Sequence, residues 1–423
     1  MSNAVYVWRE FHGEVQPVGT LSLHQGRIVF SYDPAYKGSP ISNSLPKDAG
    51  PVSAAATETF FSALLPEGSA RKELERMFRA EKNDFVTYLE HLNDESIGAL
   101  LFSVGDDTPY ENPRYEPVEE SFFDKLASRS LETAVLTAEQ TRLSLAGAMA
   151  KVGLYRDEEE AGWFYPLGAA PSTHIVKAAD GERFPLETVN EALCLGTAKR
   201  CGFPVADCEL IPVESGEPLI SVRRFDRVFK EESRTIDGMR APIRLHQEDM
   251  SQATAIPLKY EPTDGGYLSL ITRTVRRACA NSFGEASLVM EYTMFDYLVG
   301  NCDNHLKNYS LLFSEDWKTC ESAPLYDVVS TVVYPAVYKE MGVSFGGSRR
   351  IDEVTRELFA RSLSVCGIPE DLGFGNFREL AKAVPNAIEE EAAALEKKGF
   401  PQALTLVKPL LDGVAERSRK VIG

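Results

Sequence analysis

Apolar and polar residues alternate at the start of this chain and recur every three or four positions towards its end. Val5-Tyr6-Val7-Trp8, Gly19-Thr20-Leu21-Ser22-Leu23 and Gly26-Arg27-Ile28-Val29-Phe30 read as short strands. A helical pattern follows in Phe60, Phe61, Leu64 and Leu65, then in Leu74, Met77 and Phe78, with Pro66-Glu67-Gly68 between them. The stretch from Pro109 to Pro117 holds three prolines and several charges and reads as a linker. Residues 1–112 are thus expected to form an N-terminal α/β subdomain.

The next block, 113–232, predicts one helix and then strands. Candidates are Leu143 to Ala146, Lys151 to Tyr155, Gly162 to Tyr165, Thr173 to Lys177, Ala206 to Pro212 and Leu219 to Arg224. A helix from Leu186 to Arg200 ends at Gly202-Phe203-Pro204, a strong stop signal. From 233 to 423 the period is helical, in Gly266 to Ala280, Ala286 to Val299, Glu353 to Val365, Phe377 to Lys398 and Pro401 to Arg419. The expected class is α+β, with a β-rich lobe at 113–232 followed by an all-α lobe at 233–423.

Composition narrows the function. The 423 residues carry a net charge of −18, which opposes direct binding to a phosphate backbone. The basic clusters Arg223-Arg224-Phe225-Asp226-Arg227 and Arg273 to Arg277 are too small to reverse that, so DNA contact is expected only through a partner. Seven scattered cysteines and six dispersed histidines lack zinc spacing. The cysteine usage suggests a reducing compartment, the cytoplasm. No apolar run approaches a membrane span, and the first residues lack a signal-peptide layout.

The chemistry concentrates in Asp303-Asn304-His305-Leu306-Lys307-Asn308 and, after an apolar strand, Pro324-Leu325-Tyr326-Asp327. An Asp, an Asn five positions later and a second Asp beyond a strand form the layout of a protein-kinase catalytic centre. Asp303 can orient or deprotonate a hydroxyl. Asn308 and Asp327 are hard oxygen ligands suited to Mg²⁺ on ATP. His305 and Lys307, inside the loop, are candidate ATP contacts. Upstream, Ser144-Leu145-Ala146-Gly147-Ala148-Met149-Ala150-Lys151 is a small-residue run that lets backbone N–H groups of Ala146, Gly147 and Ala148 approach phosphates, with Lys151 at its end. It is not a Walker A sequence, and a tight hairpin would read the same way. Lys177 ends a strand where it suits the α- and β-phosphates, and Glu191 on the next helix is its natural ion-pair partner.

In this order the motifs resemble the HipA-like serine/threonine kinase toxins of bacterial type II toxin–antitoxin modules. The resemblance runs through Phe60 to Pro66, Ser96 to Ala99, Ser144 to Lys151, Pro171 to Lys177, Asn190-Glu191, Arg224 to Arg227, Gln247 to Met250, Lys259 to Glu261, Asp303 to Asn308 and Leu325 to Asp327. It implies a two-lobed kinase fold with nucleotide between the lobes, Asp303 as the catalytic Asp, and Mg²⁺ on Asn308 and Asp327. It implies that Lys177 touches ATP phosphates, that Arg224 and Phe225 form a hinge around adenine, and that Asp226 lies near the ribose. Ser144 becomes the autophosphorylation site. The implied partners are a helix-turn-helix antitoxin (HipB-like) and a protein substrate, an aminoacyl-tRNA synthetase in known members. The chain departs from the family pattern at Met149, where Gln is usual, at Arg223, and in a short loop from Ala178 to Thr188. A small-molecule or lipid phosphotransferase would use the same Asp, Asn and Asp. A nucleotide-binding co-repressor is the non-enzymatic alternative.

Overall fold

The computed structural model describes residues 4–11, 14–24, 27–47, 52–80, 85–91, 95–104, 108–109, 112–143, 145, 149–157, 162–214, 216–231, 233–263, 265–334 and 339–423. Its strands begin β1 (Val5–Phe11), β2 (Glu14–His24), β3 (Arg27–Tyr32), β4 (Leu100–Val104) and β5 (Arg114–Pro117). They continue as β6 (Ala150–Arg156), β7 (Trp163–Leu167), β8 (His174–Ala178), β9 (Cys208–Ile211) and β10 (Leu219–Arg223). The helices are α1 (Ala54–Ser62), α2 (Gly68–Phe78), α3 (Phe85–His91), α4 (Phe122–Ser128), α5 (Ser130–Thr141) and α6 (Glu187–Arg200). Then come α7 (Met250–Thr254), α8 (Tyr267–Ala278), α9 (Ser282–Val299), α10 (Arg356–Val365), α11 (Glu370–Lys397) and α12 (Ala403–Ile422).

Two compact units result. The first takes Met1–Asp180, Ile211–Pro257 and Leu312–Thr319. The second takes Gly181–Leu210, Leu258–Leu311 and Cys320–Gly423. These boundaries differ from the division expected at 112 and 232. The α/β subdomain and the strand-rich block share one unit, and α6 goes with the later helices. The physical reason for α6 is close packing. Gly196 leaves room for the Glu391 side chain of α11, and Arg200 donates to Glu391 at 2.7 Å.

In the first unit, β3-β2-β1-β4 form an antiparallel sheet. Alternation buries Val5 and Val7, which meet Leu21 and Gly19 of β2 in register. The register slips between Val7 and Trp8, where β2 brings in Pro17, a residue with no N–H for the ladder. Phe30, Phe60, Phe61 and Phe102 pack α1 on this sheet, with ring centroids 5.0 to 6.1 Å apart. The stretch read as a linker contains β5, hydrogen-bonded from Arg114↔Leu167 to Pro117↔Phe164. Two helices, not one, precede β6. Leu143 makes an isolated bridge to Glu95 rather than starting a strand.

The strands β5-β7-β6-β8-β10 follow in that order in a second sheet. One face buries Val152, Leu154, Val176, Ala178 and Leu219 against Phe122, Leu126 and Ala134 of α4 and α5. Lys151 and Lys177 sit opposite one another in the β6–β8 register.

Six buried charges bind the first unit together. Arg224 donates to both Asp226 oxygens at 2.9 and 2.8 Å, and Arg227 donates to Glu95 at 2.8 Å and to the Gly98 carbonyl at 3.0 Å. Arg244 donates to Glu10 at 2.7 Å and to the Ala169 carbonyl at 2.9 Å. Burial pushes the Glu95 carboxyl up, but Arg227, Arg224 and Arg244 outweigh it and hold its pKa below the ordinary value. Removing one member strands its partner's charge, so Arg244→Ala should cost about 3–5 kcal/mol. Urea unfolding checks this. A loss below about 1 kcal/mol, the scale of a surface pair, would show that Glu10 finds water or another donor.

Candidate active site

The residues singled out from the sequence divide between the units. Lys151, Lys177, Arg224, Phe225 and Asp226 lie in the first; Glu191, Asp303, His305, Lys307, Asn308 and Asp327 lie in the second. Ser144, Ala146, Gly147 and Ala148 fall outside the described residues.

In the first unit, the Lys151↔Lys177 pairing puts two ammonium groups on one face of adjacent strands. Like charges directly opposite are unfavourable in a sheet, and an anion shared between them reverses the sign. Lys177 is buried and Lys151 half-buried, so the site is partly shielded from water. Arg224 and Asp226 take part in a buried network. The resemblance put them against ATP; they are 3% and 1% exposed, and their side chains serve the buried charge cluster. Asp226 also accepts from the Gly98 N–H at 2.8 Å and from Gln247 at 3.2 Å. Phe225 between them is half-buried.

In the second unit, α9 ends at Gly300, whose φ of 81° turns the chain into the loop. Arg417 of α12 donates to the Leu298 carbonyl at 3.0 and 2.8 Å and so satisfies the end of that helix. Asp303 follows with its side chain 49% exposed. Its N–H donates to the Asn301 amide oxygen at 2.9 Å, and its carbonyl accepts from the Asn308 amide at 2.8 Å. That second bond fixes the orientation of the Asn308 amide, so that its oxygen is the atom a cation would use. His305 is buried, with Nε2 4.0 Å from the Asp303 carboxylate. Tyr260 donates a hydrogen bond to Asp303 Oδ1.

Asp327 is brought to the loop through its neighbour. The Tyr326 hydroxyl donates to the Lys307 carbonyl at 2.7 Å and lies 2.6 Å from the Ser310 hydroxyl. Asp327 itself is half-buried in the left-handed region, at φ 58°. The segment beyond it is pinned by Asn190 of α6, which accepts from the Ser330 N–H at 3.0 Å and donates to the Ser330 carbonyl and to Tyr334. Glu191 beside it is fully buried. Mg²⁺ keeps most of its shell from water and phosphate oxygens, so one amide oxygen and one carboxylate are the kind of protein ligands it takes. Asn308 and Asp327 fit that description.

One buried acid behind the loop escaped the sequence reading. Asp296, buried inside α9, accepts from Asn301 at 2.8 Å and from Tyr309 at 3.1 Å, and Asn301 in turn holds the Asp303 N–H. An acid within Met294-Phe295-Asp296-Tyr297-Leu298-Val299 was the available signal, since charged residues are rarely buried without a task.

Two antiparallel sheets, and the Asp303–Asn308–Asp327 constellation in a mostly helical second unit, define an α+β, kinase-like phosphotransferase fold; the strands Glu340–Phe345 and Ser348–Arg350 show that the block 233–423 is not the all-α lobe expected. The HipA-like C-terminal domain family matches residues 143–396 and the HipA N-terminal domain family matches residues 10–103. The chain belongs to the HipA family of kinases. Putative kinase Y4mE of Sinorhizobium fredii is 33% identical over 365 residues, which are 81% of this chain and 82% of that protein. The serine/threonine-protein kinase toxin HipA of Shewanella oneidensis is 25% identical over 407 residues, 92% of this chain and 90% of that one. A solved complex of Shewanella oneidensis HipA with HipB and operator DNA matches at a TM-score of 0.79 and 22% identity, over 98% of this chain and 97% of that chain.

Burial pushes the Asp296 carboxyl up to about 7, with the bonds from Asn301 and Tyr309 only partly offsetting it. The folded state therefore holds this proton more tightly than the unfolded state. Stability is fully present below the unfolded value of 3.8 and declines as pH rises to about 7. Glu248, also raised to about 7 by burial, adds a second such slope. Asp296→Asn should flatten the fall of Tm between pH 5 and 7, and adding Glu248→Gln should flatten it further. An undiminished slope in the double variant would refute the assignment.

Proposed function

We propose that the chain is an ATP-dependent serine/threonine protein kinase that acts as a growth-arresting toxin in the cytoplasm. The observation that carries the reading is the Asp303 loop. A half-exposed carboxylate is held by backbone bonds on both sides, to Asn301 and Asn308, and a buried acid stands behind it. The acceptor hydroxyl gives its proton to Asp303 as its oxygen forms a bond to the γ-phosphorus of ATP, and ADP leaves as the bond to the β-phosphate oxygen breaks. Lys151 and Lys177 attract the phosphates. Glu191 is the carboxylate that the strand-then-helix order offers Lys177 as an ion-pair partner. His305 and Lys307 border Asp303 as candidate ATP contacts, and the Lys307 ammonium adds positive charge to the loop. Mg²⁺ held by Asn308 and Asp327 would neutralise phosphate charge.

The proposed partner is a small helix-turn-helix antitoxin, in keeping with the HipB bound to the Shewanella oneidensis relative. The net charge of −18 favours DNA contact through such a partner rather than directly. A translation-related protein, such as the aminoacyl-tRNA synthetase of known family members, is the proposed target. Autophosphorylation of Ser144 is the proposed off-switch. A phosphate there adds about −1.5 to −2 charge to a loop that must receive ATP's own phosphates.

The test is intact-mass spectrometry of the purified chain after incubation with Mg-ATP. One added phosphate is expected on the wild type and none on Asp303→Ala or Ser144→Ala. Asp303→Ala should slow phosphoryl transfer by about 10²–10⁴-fold. Unmodified chain that takes up no phosphate, and consumes no ATP when lysate is supplied, would favour a nucleotide-binding co-repressor.

A further inference from the structure

The segment 258–261 is fixed to its surroundings on both sides of one exposed ring. The Leu258 carbonyl accepts from the Tyr267 hydroxyl at 2.7 Å, and the Lys259 carbonyl accepts from the Leu306 N–H of the loop at 3.0 Å. The Glu261 N–H donates to the Gly342 carbonyl at 2.9 Å. The buried Glu261 carboxylate accepts from the Gly266 N–H at 2.5 Å, the Ser344 N–H at 2.7 Å and the Ser344 hydroxyl at 2.8 Å. Between these anchors Tyr260 is 41% exposed. Its ring stands edge-on to His305 at 5.0 Å, with the Lys259 ammonium 5.3 Å from its centroid. Its hydroxyl donates to Asp303 Oδ1.

A general base must lie within hydrogen-bond reach of the hydroxyl it deprotonates. Tyr260 already offers Asp303 such a hydroxyl, from a backbone too well tied to drift. We propose that Tyr260 is a placeholder for the acceptor. Its phenol occupies the Asp303 oxygen that takes the acceptor's proton, and phosphoryl transfer begins when an acceptor hydroxyl displaces it. The proposal rests on the reading of Asp303 as the general base. It makes Tyr260 a specificity-determining residue. Water and small alcohols bring only a hydroxyl and compete poorly for Asp303. A protein acceptor brings further contacts, and Leu258, 61% exposed beside the tyrosine, offers it an apolar one.

The experiment measures steady-state hydrolysis of Mg-ATP, with water as the acceptor probe, by the full chain and by Tyr260→Phe, Tyr260→Ala and Asp303→Asn. Phenylalanine keeps the ring against His305 and Lys259 and removes only the hydroxyl. Removing one hydrogen bond to a charged oxygen should raise kcat for hydrolysis about ten- to a hundredfold, with KM for ATP and Tm unchanged. Tyr260→Ala should move kcat in the same direction. A fall in kcat would make Tyr260 an aligner of Asp303, and an unchanged rate would make the contact incidental. Phosphate found on Tyr260 would make it an acceptor. Each of these overturns the proposal. Asp303→Asn reports on the base separately. If it hydrolyses ATP as fast as the wild type, the reading of Asp303 falls and the placeholder falls with it.

Discussion

The first unit depends on a balanced set of buried charges. Arg224, Arg227 and Arg244 meet Glu10, Glu95 and Asp226 at a place nearly closed to water. Such a cluster is tolerable only because the charges cancel and the forked guanidinium groups satisfy carbonyls as well as carboxylates. Its members come from β1, the chain before β4, the turn after β10 and the segment before α7. Those elements have no period in common, and charge neutrality forces them together. Apolar packing fills the space around the cluster, but it does not dictate this register.

The second unit applies the same economy to a smaller network. Asp296, Asn301 and Tyr309 lie behind the loop, and Asn304 accepts from the Gly342 and Val343 N–H groups to fix its far side. The exposed carboxylate of Asp303 thus sits on polar groups that have little freedom to move. Catalytic groups must be held to within a fraction of an ångström, and bonds to backbone N–H and carbonyl groups do this better than apolar contacts.

Much of this was legible in the sequence. Strands β1, β2 and β3 of the first sheet and the helices α8, α9, α10 and α12 follow from period alone, and so does the placement of the Asp303 loop directly after α9; β4 went unread. The misreadings have separable causes. Prolines made Pro109 to Pro117 resemble a linker, yet β5 pairs with β7 alone, at an edge of its sheet where Pro117 costs no ladder bond. The buried network of Arg224 and Asp226 was not readable, because their partners Glu95 and Gly98 lie about 130 residues away, beyond any local pattern. The strand pairs Arg227–Val228 with Ile243–Arg244 and Thr235–Ile236 with Met239–Arg240 are too short to show alternation. Tyr260 and Asn190 stood within quoted motifs, but only coordinates connect one to Asp303 and the other to Ser330.

The Arg417 bond to Leu298 has a consequence in time. The carbonyl it satisfies ends the helix that launches the Asp303 loop, yet Arg417 leaves the ribosome roughly 100 residues after Asp303. At about 5–20 residues per second, that is a delay on the order of 5–20 s. Through that interval the loop exists without its last support. A nascent chain therefore carries the Asp303 carboxylate in an unfinished setting until Arg417 has emerged and docked on α9.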